Sequence, residues 1–276
     1  MLNKLAYLGP SGTFCEEAAN KYIGDKAWTL LPYPSIEAVF AAVQLGEVES
    51  GIVPIENSCE GAVNLTMDLL AYEYDLKITG ELVLPVSQNL MIRPGVKLDE
   101  ISCILSHPQA LAQCRKYLSA TLPGRELATV DSTAEAALRV ANSDEPWAAV
   151  GTAGAARAYG LDILHPDIQD RLSNETRFII LSRDMVHTIE PVSGLHAKTS
   201  LVLYLLDKPG ALFRALEQFY LRDINLTRIE SRPARTRIGD YLFFIDIEGH
   251  CGELRVIKAL EGLKELAREI KILGSY

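Results

Sequence analysis

Four short stretches carry the residue types best able to do chemistry, and each lies where an apolar run ends. They are "GPSGTF" (Gly9 to Phe14), "PIENSCEGAV" (Pro54 to Val63), "SHPQALAQC" (Ser106 to Cys114) and "NETRF" (Asn174 to Phe178). Glycines in the first free backbone N–H groups to face an anion at a helix start, and Thr13 adds a hydroxyl. An ordinary strand-to-helix turn explains the same residues equally well. The second offers Glu56, Asn57 and Ser58, for which helix capping is the alternative use. In the third, Gln109 and Gln113 share a helix face at i, i+4, and Ser106 is either a polar ligand or a cap. His107 alone reads as structural. The fourth sets Thr176 and Arg177, a hydroxyl and a cation, directly before the apolar Phe178-Ile179-Ile180. Together they contain no Ser-His-Asp order, metal-ligand spacing or GxGxxG. They favour a small polar ligand held by hydrogen bonds over covalent or metal chemistry.

The elements that must position these residues alternate. "KLAYLG" precedes the helical "EEAANKYIG", and "WTLLPY" precedes "SIEAVFAAVQLGEV" and then "SGIVPI". Later "ISCILSH" leads to "PQALAQCRKYLSATL", "ELATV" to "STAEAALRVANSD", and "WAAVG" to "TAGAARAYG". Such alternation predicts α/β layers with a largely parallel sheet. The β-rich, helix-free stretch near 76–95 suits a crossover between two lobes, with the return near 160–183; one large sheet is the alternative. Ligands of open α/β sheets sit at strand C-termini. A first region over 1–184 and a linker over 185–196, carrying Pro191 and Gly194, follow from the loss of periodicity. Residues 197–276 then read strand, helix, two strands, helix, strand: a ferredoxin-like βαββαβ unit. In it Pro209 opens the first helix, "ELRVIKALEGLKELAREI" forms the second and "KILGSY" a short last strand. Edge strands of such a unit invite pairing with another copy.

Bulk properties narrow the classes. The 276 residues are 48% hydrophobic and 23% charged, and no apolar run approaches membrane-spanning length. Met1 to Lys4 leads into "LAYLG" without a signal-peptide core, and the five cysteines form no CxxC, which predicts a reduced, cytoplasmic protein. Residues 1–189 hold 14 Lys+Arg against 24 Asp+Glu, a net of −10, whereas the remainder nets +1. Neither part has the basic stripe of a nucleic-acid binder. An acidic domain that binds an anion needs local donors, such as a helix N-terminus or a single arginine.

In their order and spacing "GPSGTF", "VPIENSCEGAV", "GELVLPVSQNL", "SHPQALAQC" and "NETRF", followed by "PGAL" and "ESRP", closely resemble the prephenate dehydratase family over nearly the whole chain. The resemblance implies a two-lobed, periplasmic-binding-protein-like catalytic domain followed by a regulatory ACT domain. It implies conversion of prephenate to phenylpyruvate, with loss of water and carbon dioxide, in phenylalanine biosynthesis, with no cofactor and no metal. Thr176 matches the threonine to which assistance at the leaving hydroxyl is ascribed. Arg177 is implied as a carboxylate partner, with Glu56, Asn57, Ser58, Ser106, Gln113 and Thr13 as further substrate contacts and Phe178 packed beneath the site. Gly210, Ala211 and Leu212 of "PGAL", with Glu230, Ser231, Arg232 and Pro233 of "ESRP", match motifs that bind L-phenylalanine as allosteric effector. A homodimer or homotetramer through ACT domains is the implied assembly. Cys15 departs from the serine common after "GTF" and is expected to be a packing change without loss of activity. Arogenate dehydratase, a non-catalytic amino-acid sensor and an exported solute-binding protein are the rival readings. Intact "NETRF" argues against the second and the missing signal peptide against the third.

Overall fold

The computed structural model describes residues 3–171, 173–184, 197–235 and 240–276. The linker expected over 185–196 lies outside them. Two compact units emerge: residues 1–66 with 82–178, and residues 67–81 with 179–276.

The first sheet begins with β1 (Asn3–Leu8), helix α1 (Phe14–Ile23), β2 (Trp28–Tyr33), α2 (Ile36–Leu45), β3 (Ser50–Asn57) and the two-residue β4 (Gly61–Ala62). A short α3 (Asn64–Asp68) runs into one π-helical turn, Leu69–Glu73, before β5 (Lys77–Pro85). The chain then enters a second sheet through β6 (Asn89–Ile92). It continues as β7 (Cys103–Ser106), α4 (Pro108–Gln113), α5 (Arg115–Thr121), β8 (Glu126–Thr129), α6 (Thr133–Ala141), β9 (Trp147–Gly151), α7 (Ala153–Tyr159) and β10 (Asp162–His165). It returns to the first sheet as β11 (Glu175–Ser182). Sheet orders are β2-β1-β3-β11-β5, with β4 on β3, and β10-β6-β9-β7-β8.

Strands β1, β2 and β3 are mutually parallel, as are β7, β8 and β9, but β6 and β10 join antiparallel. The sheets are therefore mixed, not largely parallel, because the crossover strand enters from the opposite end. The expected single helix after β7 is broken at Cys114, whose φ of −109° and ψ of 13° leave the helical region. There Asp170 supplies the reason: its N–H donates to Gln113 O at 2.7 Å, and its carboxylate accepts from Lys116 N. One apolar cluster holds α1 on the first sheet through Leu5, Cys15, Ala18, Ile52 and Phe178. Two more clusters pack on the second sheet.

The second unit contains β12 (Lys198–Leu205), α8 (Ala211–Tyr220), β13 (Leu226–Pro233), β14 (Tyr241–Glu248), α9 (Leu254–Lys264) and β15 (Ala267–Ser275), a βαββαβ order. Its antiparallel sheet runs β13-β14-β12-β15. Helix α9 ends earlier than its pattern predicts, since Glu269 and Ile270 pair with Tyr204 and Leu203. Tertiary pairing there overrides helix propensity. Segment 67–81 packs into the same unit: a Cβ built on Gly274 would lie 2.0 Å from Ile78 O, and the Lys198 ammonium pairs with the Glu81 carboxylate. Among the described residues no helix is long and apolar enough to cross a membrane.

Candidate active site

The turn between β3 and β4 fixes the centre of the site. Asn57 Oδ1 accepts from Cys59 N at 2.9 Å and Glu60 N at 3.2 Å, an Asx turn that needs no helix. Neither Asn57 nor Ser58 caps a helix, as the alternative reading supposed. With the oxygen so held, the Asn57 amide nitrogen faces the start of β11. It donates to Asn174 Oδ1 and to Thr176 Oγ1, both at 2.9 Å. Ser58 closes the junction: its N–H donates to Glu175 O, its hydroxyl accepts from Glu175 N, and the same hydroxyl donates to Ser173 O. The Arg177 guanidinium, with its side chain only 13% exposed, meets Glu56 Oε2 at 2.9 Å.

Beside this junction lies a cavity of about 390 Å³ whose lining includes Cys59, Glu60, Gln113, Gln169, Arg171 and Asn174. Gln113 accepts from Gln88 Nε2 at 3.3 Å, and Gln169 accepts from Gln88 N at 2.9 Å. Asn174, Arg171, Gln88 and Gln169 were not picked out by sequence reasoning. Only Asn174 and Arg171 had a local signal, as neighbours of the Thr-Arg pair.

Other nominated residues are held elsewhere. Ser106 is fully buried and donates to Val150 O at 2.6 Å. His107 caps α4 in its place, accepting from Gln109 N. Phe178 is 1% exposed in the first sheet's core. The Thr13 hydroxyl donates to Leu8 O and accepts from Glu16 N, capping α1. Around it the "GPSGTF" loop bonds to other protein groups. Glu16 accepts from Gly12 N at 2.6 Å and from the Tyr7 hydroxyl at 2.9 Å. Burial, opposed by the Ser11 hydrogen bond and aided by Glu16, pushes the Tyr7 phenol up to about 12. The loop docks on α7, where Thr152 Oγ1 donates to Gly12 O and the Tyr159 hydroxyl to Ser11 O.

In the second unit Gly210 opens α8 with φ +75° and no side-chain cap. Arg232 Nη2 donates to both oxygens of the Asp68 carboxylate, at 2.8 and 2.9 Å. Arg235 shares that carboxylate and stacks 4.9 Å from the Tyr72 ring centroid. The remaining members of "ESRP" follow the edge-strand alternation of β13, with Ser231 and Pro233 exposed and Glu230 half-buried.

Comparison with known proteins now bears on both units. The prephenate dehydratase family matches residues 5–186, and the ACT domain family residues 199–265. A prephenate dehydratase of Lactococcus lactis subsp. cremoris is 41% identical, the match covering 99% of this chain and 97% of the relative. The crystal structure of prephenate dehydratase in complex with L-Phe from Arthrobacter aurescens superposes with TM-score 0.89 at 38% identity, covering 99% of this chain and 89% of that one. A structure described as a novel type of quorum quenching acylase is also similar, with TM-score 0.88 and 31% identity over 99% and 97% of the two chains. The chain belongs to the prephenate dehydratase family, its dehydratase domain followed by an ACT domain.

Proposed function

We propose that the junction of Asn57, Thr176 and Arg177 is where prephenate loses water and carbon dioxide. The ring carboxylate leaves as CO₂, and the electron pair of its C–C bond enters the ring. The ring becomes aromatic as the C–O bond to the hydroxyl breaks, and the hydroxyl departs as water with one added proton. No redox step is needed. A neutral threonine is a poor acid, so Thr176 acts by an oriented hydrogen bond to the departing oxygen, relaying a proton from solvent. Positioned assistance of this kind contributes ~10²–10⁴-fold. Arg177, a planar guanidinium already paired with Glu56, is the proposed partner of a substrate carboxylate, and Arg171 adds a cation at the cavity wall. Gln113 lines the same wall. The single observation carrying this reading is the 2.9 Å contact that sets Thr176 Oγ1 against the Asn57 amide, whose other partner, Asn174, lines the cavity.

The regulatory reading is part of the same proposal. The catalytic region is placed at 1–184, the linker at 185–196 and the ACT domain at 197–276. L-phenylalanine, present in the Arthrobacter aurescens complex, is the proposed effector. The uncapped first turn of α8 at Gly210 to Leu212 suits its carboxylate, and Glu230, Ser231 and Pro233 on edge strand β13 are proposed to complete the effector site. Arg232 serves indirectly, through Asp68. Edge strand β13, with Phe213 70% and Tyr220 81% exposed on α8, suits a homodimer or homotetramer through ACT domains. The five cysteines without a CxxC support a reducing, cytoplasmic setting.

Because a fold this similar also carries an acylase description, turnover must be measured. Purified protein is expected to form phenylpyruvate from prephenate, and added L-phenylalanine to suppress the rate. Turnover of arogenate alone would reassign the substrate; no turnover of either would leave the amino-acid sensor.

A further inference from the structure

We infer that Asn57 does not touch the substrate but, together with Asn174, turns the hydroxyl proton of Thr176 away from the amide and toward the departing group of the substrate. The inference rests on the reading of Thr176 given above and adds the device that orients it. A primary amide has two N–H donors and an oxygen with two lone pairs. In Asn57 all four are engaged: Oδ1 by Cys59 N and Glu60 N, and Nδ2 by Asn174 Oδ1 and Thr176 Oγ1. No hydrogen-bonding capacity is left for a ligand.

The amide cannot be turned over, since its nitrogen would then face two backbone donors. Asn174, 3% exposed, must likewise present oxygen to Asn57, because its own NH₂ there would set donor against donor. Each group therefore fixes the next, from the backbone of the turn to the hydroxyl. Thr176 Oγ1 receives a hydrogen bond from Asn57, so its own proton points away from that amide. Among the described residues no acceptor is found for that proton, and Thr176 is only partly buried. The departing hydroxyl of the substrate is the acceptor the arrangement awaits. Orienting the donor before substrate arrives avoids reorganisation in the transition state.

Asn57→Asp tests this with almost no change in size. The new carboxylate still accepts from Cys59 N and Glu60 N, but toward Thr176 it can only accept. The Thr176 hydroxyl must then donate to that carboxylate, drawing its proton away from the substrate. We expect kcat on prephenate to fall by about 100-fold, the lower end for lost positioned assistance, with the melting temperature within a few degrees of wild type. Asn174→Ala, which adds no charge, should lower kcat about tenfold and leave KM within about twofold. In a Thr176→Val background both substitutions should change kcat by less than about twofold, since the group they orient is gone. Equal losses of kcat in both backgrounds would overturn the inference. So would Asn174→Ala raising KM while kcat holds. Should Thr176→Val alone keep wild-type turnover, the reading of Thr176 fails instead, and that variant retains both asparagines. Should its turnover be too slow to measure, the kcat and KM of Asn174→Ala decide.

Discussion

Two polar loops of the dehydratase domain look alike in sequence and behave oppositely. "GPSGTF" and the pair "IENSC" with "NETRF" all place Thr, Ser, Asn or Glu at strand ends. In the first, the polar groups meet protein partners: Thr13 caps α1, Glu16 gathers Tyr7 and Gly12, and the loop docks on α7. It is a joint. In the second, internal bonds run from the Asn57 amide to Thr176 Oγ1 and to Asn174, which lines a cavity. On the proposed reading, the difference teaches that a polar strand end becomes a site when its network is closed on every side but one.

Changes to the joint should alter stability and leave chemistry alone; changes at the junction should do the reverse. The largest effect is expected at Gly12. Its φ is +87°, and a Cβ there would lie 2.8 Å from Ala155 Cα. Gly12→Val should cost more than about 3 kcal/mol, combining backbone strain with overpacking, and lower the melting temperature by roughly 10 °C; calorimetry reads this directly.

Alkaline titration should expose the joint next. Burial pushes both the Cys15 thiol and the Tyr7 phenol up to about 12, above ordinary values near 9 and 10. Their folded pKa values are raised, so the unfolded chain loses these protons first. Their contribution to stability is fully present below about pH 9 and is lost as pH rises toward 12. The slope is at most about 1.4 kcal/mol per pH unit for each group. Urea unfolding midpoints at pH 8, 9.5 and 10.5 check it, and Cys15→Ala should flatten the curve.

At the junction, Arg177→Lys exchanges a planar fork for a point charge. It should raise KM for prephenate about tenfold, worth about 1.4 kcal/mol, with a smaller change in kcat; steady-state kinetics separates the two. Smallest is Thr13→Ala, the loss of one N-cap. It should cost about 1 kcal/mol, seen as a fall of a few degrees in melting temperature, while kcat stays within about twofold.

The α/β class and the βαββαβ unit were legible because they rest on local periodicity and turn residues, which a single chain displays. The four polar clusters were legible for the same reason. Which of them would be a joint was not, because the deciding partners of "GPSGTF", Thr152 and Tyr159, lie 140 or more residues away. Asn57 meets Thr176 across 119 positions, and Asp68 meets Arg232 across 164. The helix break at Cys114 was hidden likewise, since Asp170 supplies it. Strand β15 took residues that a helical pattern claimed, through pairing with β12.

The most direct test sets the two threonines side by side: kcat on prephenate and melting temperature for Thr176→Val and Thr13→Val. The account predicts that Thr176→Val loses at least about 100-fold in kcat with its melting point held, while Thr13→Val loses several degrees and keeps its kcat. Full turnover by Thr176→Val, or a loss of kcat in Thr13→Val at unchanged melting temperature, would contradict it.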